Sequence, residues 1–95
     1  MQSSADFPTT RGLQLMQTLA KHFGHKIPVR TGDDHAEISF DFGDARIGIT
    51  DSGLHLQATG RDTEAVQRVA DVLGRHLLRF AHREDPQPLE WSLPV

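Results

Sequence analysis

The 95 residues carry 10 Lys/Arg, 13 Asp/Glu and 6 His, for a formal charge of −3 with neutral histidines. That length implies one domain over residues 1–95, and Leu, Ile, Val and Phe together supply 24 side chains, enough for one modest core. The absence of cysteine excludes disulfides, thiolate metal sites and cysteine nucleophiles, and the near-balanced charge argues against nucleic acid as a partner.

No apolar run exceeds two residues, so no membrane span is expected. The opening MQSSADFPTT lacks the basic and apolar regions of a secretory leader, and the expected location is cytoplasmic. Protonating all six histidines would move the net charge from −3 to +3, so the surface charge responds to mild acid.

In chain order, a short opening strand is expected with Ala5 and Phe7 inward. A helix follows over 10–24, capped by Thr9 or Thr10, with Leu13, Met16, Leu19, Ala20 and Phe23 as its apolar stripe and Gly24 as a left-handed stop. Residues 27–31 read as a strand that Pro28 confines to an edge or a strand start, and Gly32-Asp33-Asp34 as a turn. Three segments, 36–41, 45–50 and 54–59, alternate strictly between apolar and polar residues. One apolar and one polar face is the pattern of an antiparallel sheet covered on a single side. Gly43-Asp44 and Asp51-Ser52-Gly53 are the expected hairpin joints.

A second helix is predicted over 62–82, with Asp62 as its cap and an apolar stripe from Val66 to Ala81. The proline-flanked connector 84–88 then leads to a final strand around Leu89, Trp91 and Leu93. The order β-α-β-β-β-β-α-β defines an α+β two-layer sandwich, an antiparallel sheet with two helices on one face.

His22-Phe23-Gly24-His25-Lys26, Phe42-Gly43, Arg75-His76-Leu77-Leu78-Arg79-Phe80-Ala81 and the late Glu90-Trp91 form a combined pattern. With it the chain resembles a bacterial family known as domain of unknown function 2218, from about Ser4 to Trp91. His22, His25, Lys26, His76, Arg79, Phe80 and Trp91 match the family pattern one by one, whereas His35, His55 and His82 are not carried over. The resemblance implies a small cytoplasmic protein, and an association of related domains with siderophore-interacting ferric reductases. It therefore implies a siderophore-linked reductase as one partner class.

Two residue sets are candidates for chemistry. His22 and His25 stand three apart at a helix end, and His76 borders the apolar stripe of the second helix, half facing the first. If the two helices lie side by side, these three imidazoles form a site for zinc or iron with an open position. The competing reading makes His76 a partly buried residue bonded to a backbone carbonyl or a threonine, with His22 and His25 capping helix carbonyls.

Arg68, Arg75 and Arg79 share one face of the second helix, which Lys26 and His82 extend, and no acid occurs from Val72 to Arg83. Such a row suits a carboxylate, a phosphate or the acidic surface of a partner protein. Alternatively it is a solvated face on which Asp71 pairs with Arg68 and Arg75. Catalysis has less support, since the chain has neither a glycine-rich phosphate loop nor a Gly-x-Ser-x-Gly elbow, and Ser39, His55 and Asp41 make a triad only on paper. The sequence favours a binding or accessory module over a metal-dependent enzyme built on the three histidines. The remaining alternative is a homodimeric interaction protein that uses its uncovered sheet face or an edge strand.

Overall fold

Alternation in the middle of the chain and 3.6-residue periodicity on either side of it shape the architecture. The computed structural model describes residues 1–95. In chain order the elements are β1 (Gln2–Pro8), α1 (Gly12–Gly24), β2 (Val29–Thr31), β3 (His35–Phe40), β4 (Gly43–Thr50), β5 (Gly53–Thr59) and α2 (Thr63–Phe80), followed by a single 3-10 turn at His82–Glu84. The five strands form one antiparallel sheet in the order β1-β5-β4-β3-β2. β1 and β2 occupy opposite edges, so α1 carries the chain from one edge to the other. α1 packs on β2, β3 and β4, while α2 packs on β1, β4 and β5. Both helices cover the same face, and the expected α+β sandwich is the observed fold.

The core lies between the layers. Leu19 of α1, Leu73 and Leu77 of α2, and Ile38, Ile47 and Leu56 of the sheet are all fully buried. Each such side chain contributes about 1.5–3 kcal/mol relative to exposure. Asp62 caps α2 by accepting the Ala65 N–H at 2.8 Å, which satisfies one of the orphan donors of the first turn. No helix is long and apolar enough to cross a membrane.

The start and end of α1 differ from expectation. The helix begins at Gly12, and its N-cap, Arg11, makes no side-chain capping bond. Thr9 instead accepts the Arg11 N–H at 3.0 Å and donates to Glu84 at 2.6 Å. Gly24 is not left-handed; the chain leaves the helix through a right-handed His25, and the N–H groups of Lys26 and Ile27 both donate to the Phe23 carbonyl. Leu13, predicted inward, is 47% exposed, and Leu15 is buried in its stead. These two residues flank the stripe on opposite sides. Leu15 lies on the His22 side of the helix, which turns toward α2, and Leu13 lines a cleft against the free edge of β2.

The β3–β4 joint is Asp41-Phe42, one step before the expected glycine. Gly43 opens β4, where an added Cβ would come within 2.3 Å of the Thr59 carbonyl oxygen, so the glycine serves close packing. Gly53 does turn the chain: its φ is +154° and a Cβ there would meet the Phe7 carbonyl oxygen at 2.1 Å.

The expected final strand is an irregular strap. Val95 exchanges backbone hydrogen bonds with Gln2, and the Ser92 N–H donates to the Ser4 carbonyl, so two steps of β1 face three of the tail. Pro88 and Pro94 cannot donate to a ladder. Ser92 compensates through its side chain, which accepts the Ser4 N–H at 2.9 Å, and its carbonyl accepts from the buried Ser3 hydroxyl. Leu89 and Trp91 are half-buried beside Gly74 of α2.

Candidate functional site

The end of α1 and the middle of α2 meet in a corner of imidazoles and phenyl rings. His22 lies in the last turn of α1, on the flank that faces α2, and its ring centroid is 5.0 Å from that of His76. His22 also meets Phe80 edge-on at 5.5 Å, and His76 lies 4.9 Å from Phe23. Phe23 continues the run to Phe40 at 5.3 Å, and Phe40 stacks on Phe42 at 5.1 Å. The guanidinium carbon of Arg68 sits 4.1 Å above the Phe42 ring, a cation–π contact worth about 0.5–1 kcal/mol at an exposed site. A continuous aromatic seam thus joins the two helices to the β3–β4 turn.

Hydrogen bonding fixes the chemistry of His76. Its Nδ1–H donates to the Val72 carbonyl at 2.6 Å, which leaves Nε2 as the open nitrogen. This is the backbone-bonded histidine that the sequence offered as one alternative. His22 is held below the ordinary imidazole value of 6.5; the largest cause is desolvation against its neighbours, followed by the positive charges of His76, Arg79, His25 and Lys26.

Two of the three histidines proposed for a metal come together. His25 lies past the helix end, exposed, and does not complete the set. No group of three or more His, Asp or Glu side chains in the chain is arranged to hold a metal ion.

The basic row divides. Arg75 pairs with Asp71 at 3.1 Å and belongs to a groove beside the C-terminal strap. Arg68 turns away from Asp71 to cover Phe42, so Asp71 serves one arginine and not two. Arg30, Arg46, Arg61 and Arg75 each have a carboxylate partner, whereas Lys26, Arg68 and Arg79 form no ion pair, and neither do Arg11, Lys21 and Arg83 elsewhere on the surface. His82 donates from Nδ1 to the Arg79 carbonyl at 3.0 Å, so it caps the end of α2 and does not extend the patch. None of the five principal clefts is lined by His22, His25, Lys26, His76 or Arg79, whereas Phe40, Phe42 and Arg68 at the other end of the seam line one.

The uncovered sheet face carries separate pairs. Glu37 accepts from Arg30 at 3.0 Å and Arg46 at 3.1 Å, and its carboxyl is lowered first by the Arg30 hydrogen bond. His55 bonds Asp6 at 2.7 Å across the β1–β5 pairing. Nothing local links Asp6 to His55, 49 residues apart; only the strand order does. The aromatic seam was likewise hidden, because its phenyl rings read as core residues one element at a time.

The fold and the corner define a small two-layer α+β protein with a histidine-aromatic surface at the junction of its helices. The chain belongs to the family described as uncharacterized protein conserved in bacteria, domain of unknown function 2218, whose model matches residues 4–92. It is similar in fold to the NMR structure of PA4090 from Pseudomonas aeruginosa, with a TM-score of 0.78 and 19% identity, over 99% of this chain and 97% of that one. No curated protein matches the chain.

Proposed function

We propose that this chain is a non-catalytic binding module whose histidine-aromatic corner docks the acidic surface of a partner protein. The observation that carries this reading is that Arg79 and Lys26, neither paired with a carboxylate, gather with His25 and His76 around His22, while Arg68, also unpaired, covers the Phe42 end of the aromatic seam. Exposed cations beside aromatic rings are the composition of interaction surfaces. A protein partner is favoured over a small molecule because His22, Lys26, His76 and Arg79 line none of the five principal clefts, and only Arg68 and the Phe40–Phe42 end of the seam border one. The family resemblance supplies a siderophore-linked reductase as the partner class, and the corner adds the requirement that its docking face be acidic.

The reading is tested by titrating uniformly 15N-labelled protein with an octa-aspartate peptide at low and at about 0.3 M salt. Amide shifts should concentrate at Lys26, Arg68, Arg79 and their neighbours, and should collapse at the higher salt, where exposed charges are screened within a few ångströms. Shifts centred on the Arg30–Glu37–Arg46 face, or none at low salt, would refute it.

A further inference from the structure

We propose that docking of an anionic group on this corner is coupled to proton uptake by the His22–His76 imidazole pair. The inference rests on the docking role proposed above and adds a regulatory property to it.

The geometry supplies the argument. The two rings lie 5.0 Å apart on different helices, and His76 is locked by its Nδ1–H bond to the Val72 carbonyl. Any further proton on His76 must therefore go to Nε2, converting its one open acceptor into a donor. His22 is exposed to solvent on one side and meets Phe23 and Phe80 edge-on on the others, at 5.2 and 5.5 Å, so no protein group accepts from its ring. The charged and titratable groups that face His22 are His76 and Arg79 from α2, and His25 and Lys26 from the residues after α1. All carry positive charge or acquire it on protonation, and neither His22 nor His76 is ion-paired to a carboxylate.

In the free protein an imidazolium on His22 is consequently opposed by the neighbouring positive groups and has no carboxylate partner. A carboxylate brought to the corner reverses the balance. It neutralises the surrounding charge, and it accepts a hydrogen bond from the newly protonated ring at roughly twice the strength of a neutral bond. The proton released into solution at neutral pH is thus taken up when the anion arrives. By linkage, an anion that raises the affinity of the pair for a proton must bind more tightly as pH falls, up to about tenfold per pH unit for one coupled proton. The sheet-face histidines His35 and His55 lack this coupling, because each already has a carboxylate, Asp34 at 3.1 Å and Asp6 at 2.7 Å.

Calorimetric titration of the full chain with octa-aspartate tests this at pH 7.5, 6.5 and 5.5 and constant ionic strength, with each pH repeated in two buffers of different ionisation enthalpy. The expected result is a net uptake of protons on binding near pH 6.5 and an affinity that climbs severalfold between pH 7.5 and 5.5. The slope should flatten in His22→Gln and in His76→Gln, each checked for folding by circular dichroism, and persist in the His35→Gln/His55→Gln double variant. Binding with no proton uptake, or a slope carried by the double variant, would overturn the coupling and leave the docking role standing. No binding at any pH would overturn both.

Discussion

Replacing His76 by alanine separates a structural imidazole from an idle one. The substitution removes the 2.6 Å bond from Nδ1 to the Val72 carbonyl, worth about 1 kcal/mol. It also removes the ring contacts with Phe23 at 4.9 Å and His22 at 5.0 Å, together about 1 kcal/mol for a half-buried pair. Against this, alanine is the better helix former by about 0.6 kcal/mol, and Val72 keeps its helical partner, so no carbonyl is orphaned. The net cost is about 1–2 kcal/mol, which for a domain of this size lowers Tm by about 5–12 °C. Thermal and urea unfolding at pH 7.5 measure it. The exposed His25→Ala should change stability by less than about 0.5 kcal/mol. A His76→Ala protein that melts within 2 °C of the parent would refute the described corner, and so would a loss above 4 kcal/mol, which only a core residue produces.

Three further outcomes follow from other parts of the molecule. Gly53→Ala should cost about 3 kcal/mol, because the added carbon meets the Phe7 carbonyl at a backbone already held at positive φ; a neutral effect in urea unfolding would contradict the turn geometry. Stability should fall on acidification in two separate windows. His22 has a folded value below 6.5, so the unfolded chain binds more protons and stability is lost as pH drops below 6.5. Asp34 and Glu37, lowered from 3.8 and 4.5, hold their contribution until pH falls through those values. Urea midpoints between pH 7.5 and 5.5 should therefore fall less for His22→Gln than for the parent. Truncation after Asp85 removes the strap, uncovers the half-buried contact with α2 and frees the outer edge of β1. Hydrogen exchange should then quicken at Gln2, whose N–H donates to Val95, and at Ser4, whose N–H donates to Ser92, and stay slow in β4 and β5.

The strands β3 to β5 and α2 were legible in the sequence because a single period governs each: Ala36, Ile38 and Phe40 alternate without interruption, and the stripe from Val66 to Leu77 keeps to one side of its helix. Where two residues flank a stripe symmetrically, as Leu13 and Leu15 do, the sequence alone cannot choose between them. The neighbour that covers one flank is supplied by α2, which comes some fifty residues later. The strap failed as a strand because Pro88 and Pro94 remove donors and Ser92 substitutes side-chain bonds for a ladder. Within the candidate site, the approach of His76 to the first helix was readable from its border position on the wheel. The Arg75–Asp71 pair was readable from its i,i+4 spacing, but the departure of Arg68 toward Phe42 was not, because the aromatic ring that competes for Arg68 belongs to a turn between strands.

The central claim is that unpaired cations at the junction of α1 and α2 form a docking face. The most direct measurement compares octa-aspartate affinity at low salt for the parent, for Lys26→Glu/Arg79→Glu, and for Arg30→Glu/Arg46→Glu, which carries the same change of charge on the opposite face. The account predicts at least a tenfold loss for the first double variant and a much smaller, screening-dependent loss for the second. Equal losses for both would show that the peptide senses only net charge, and that the corner is not a docking site.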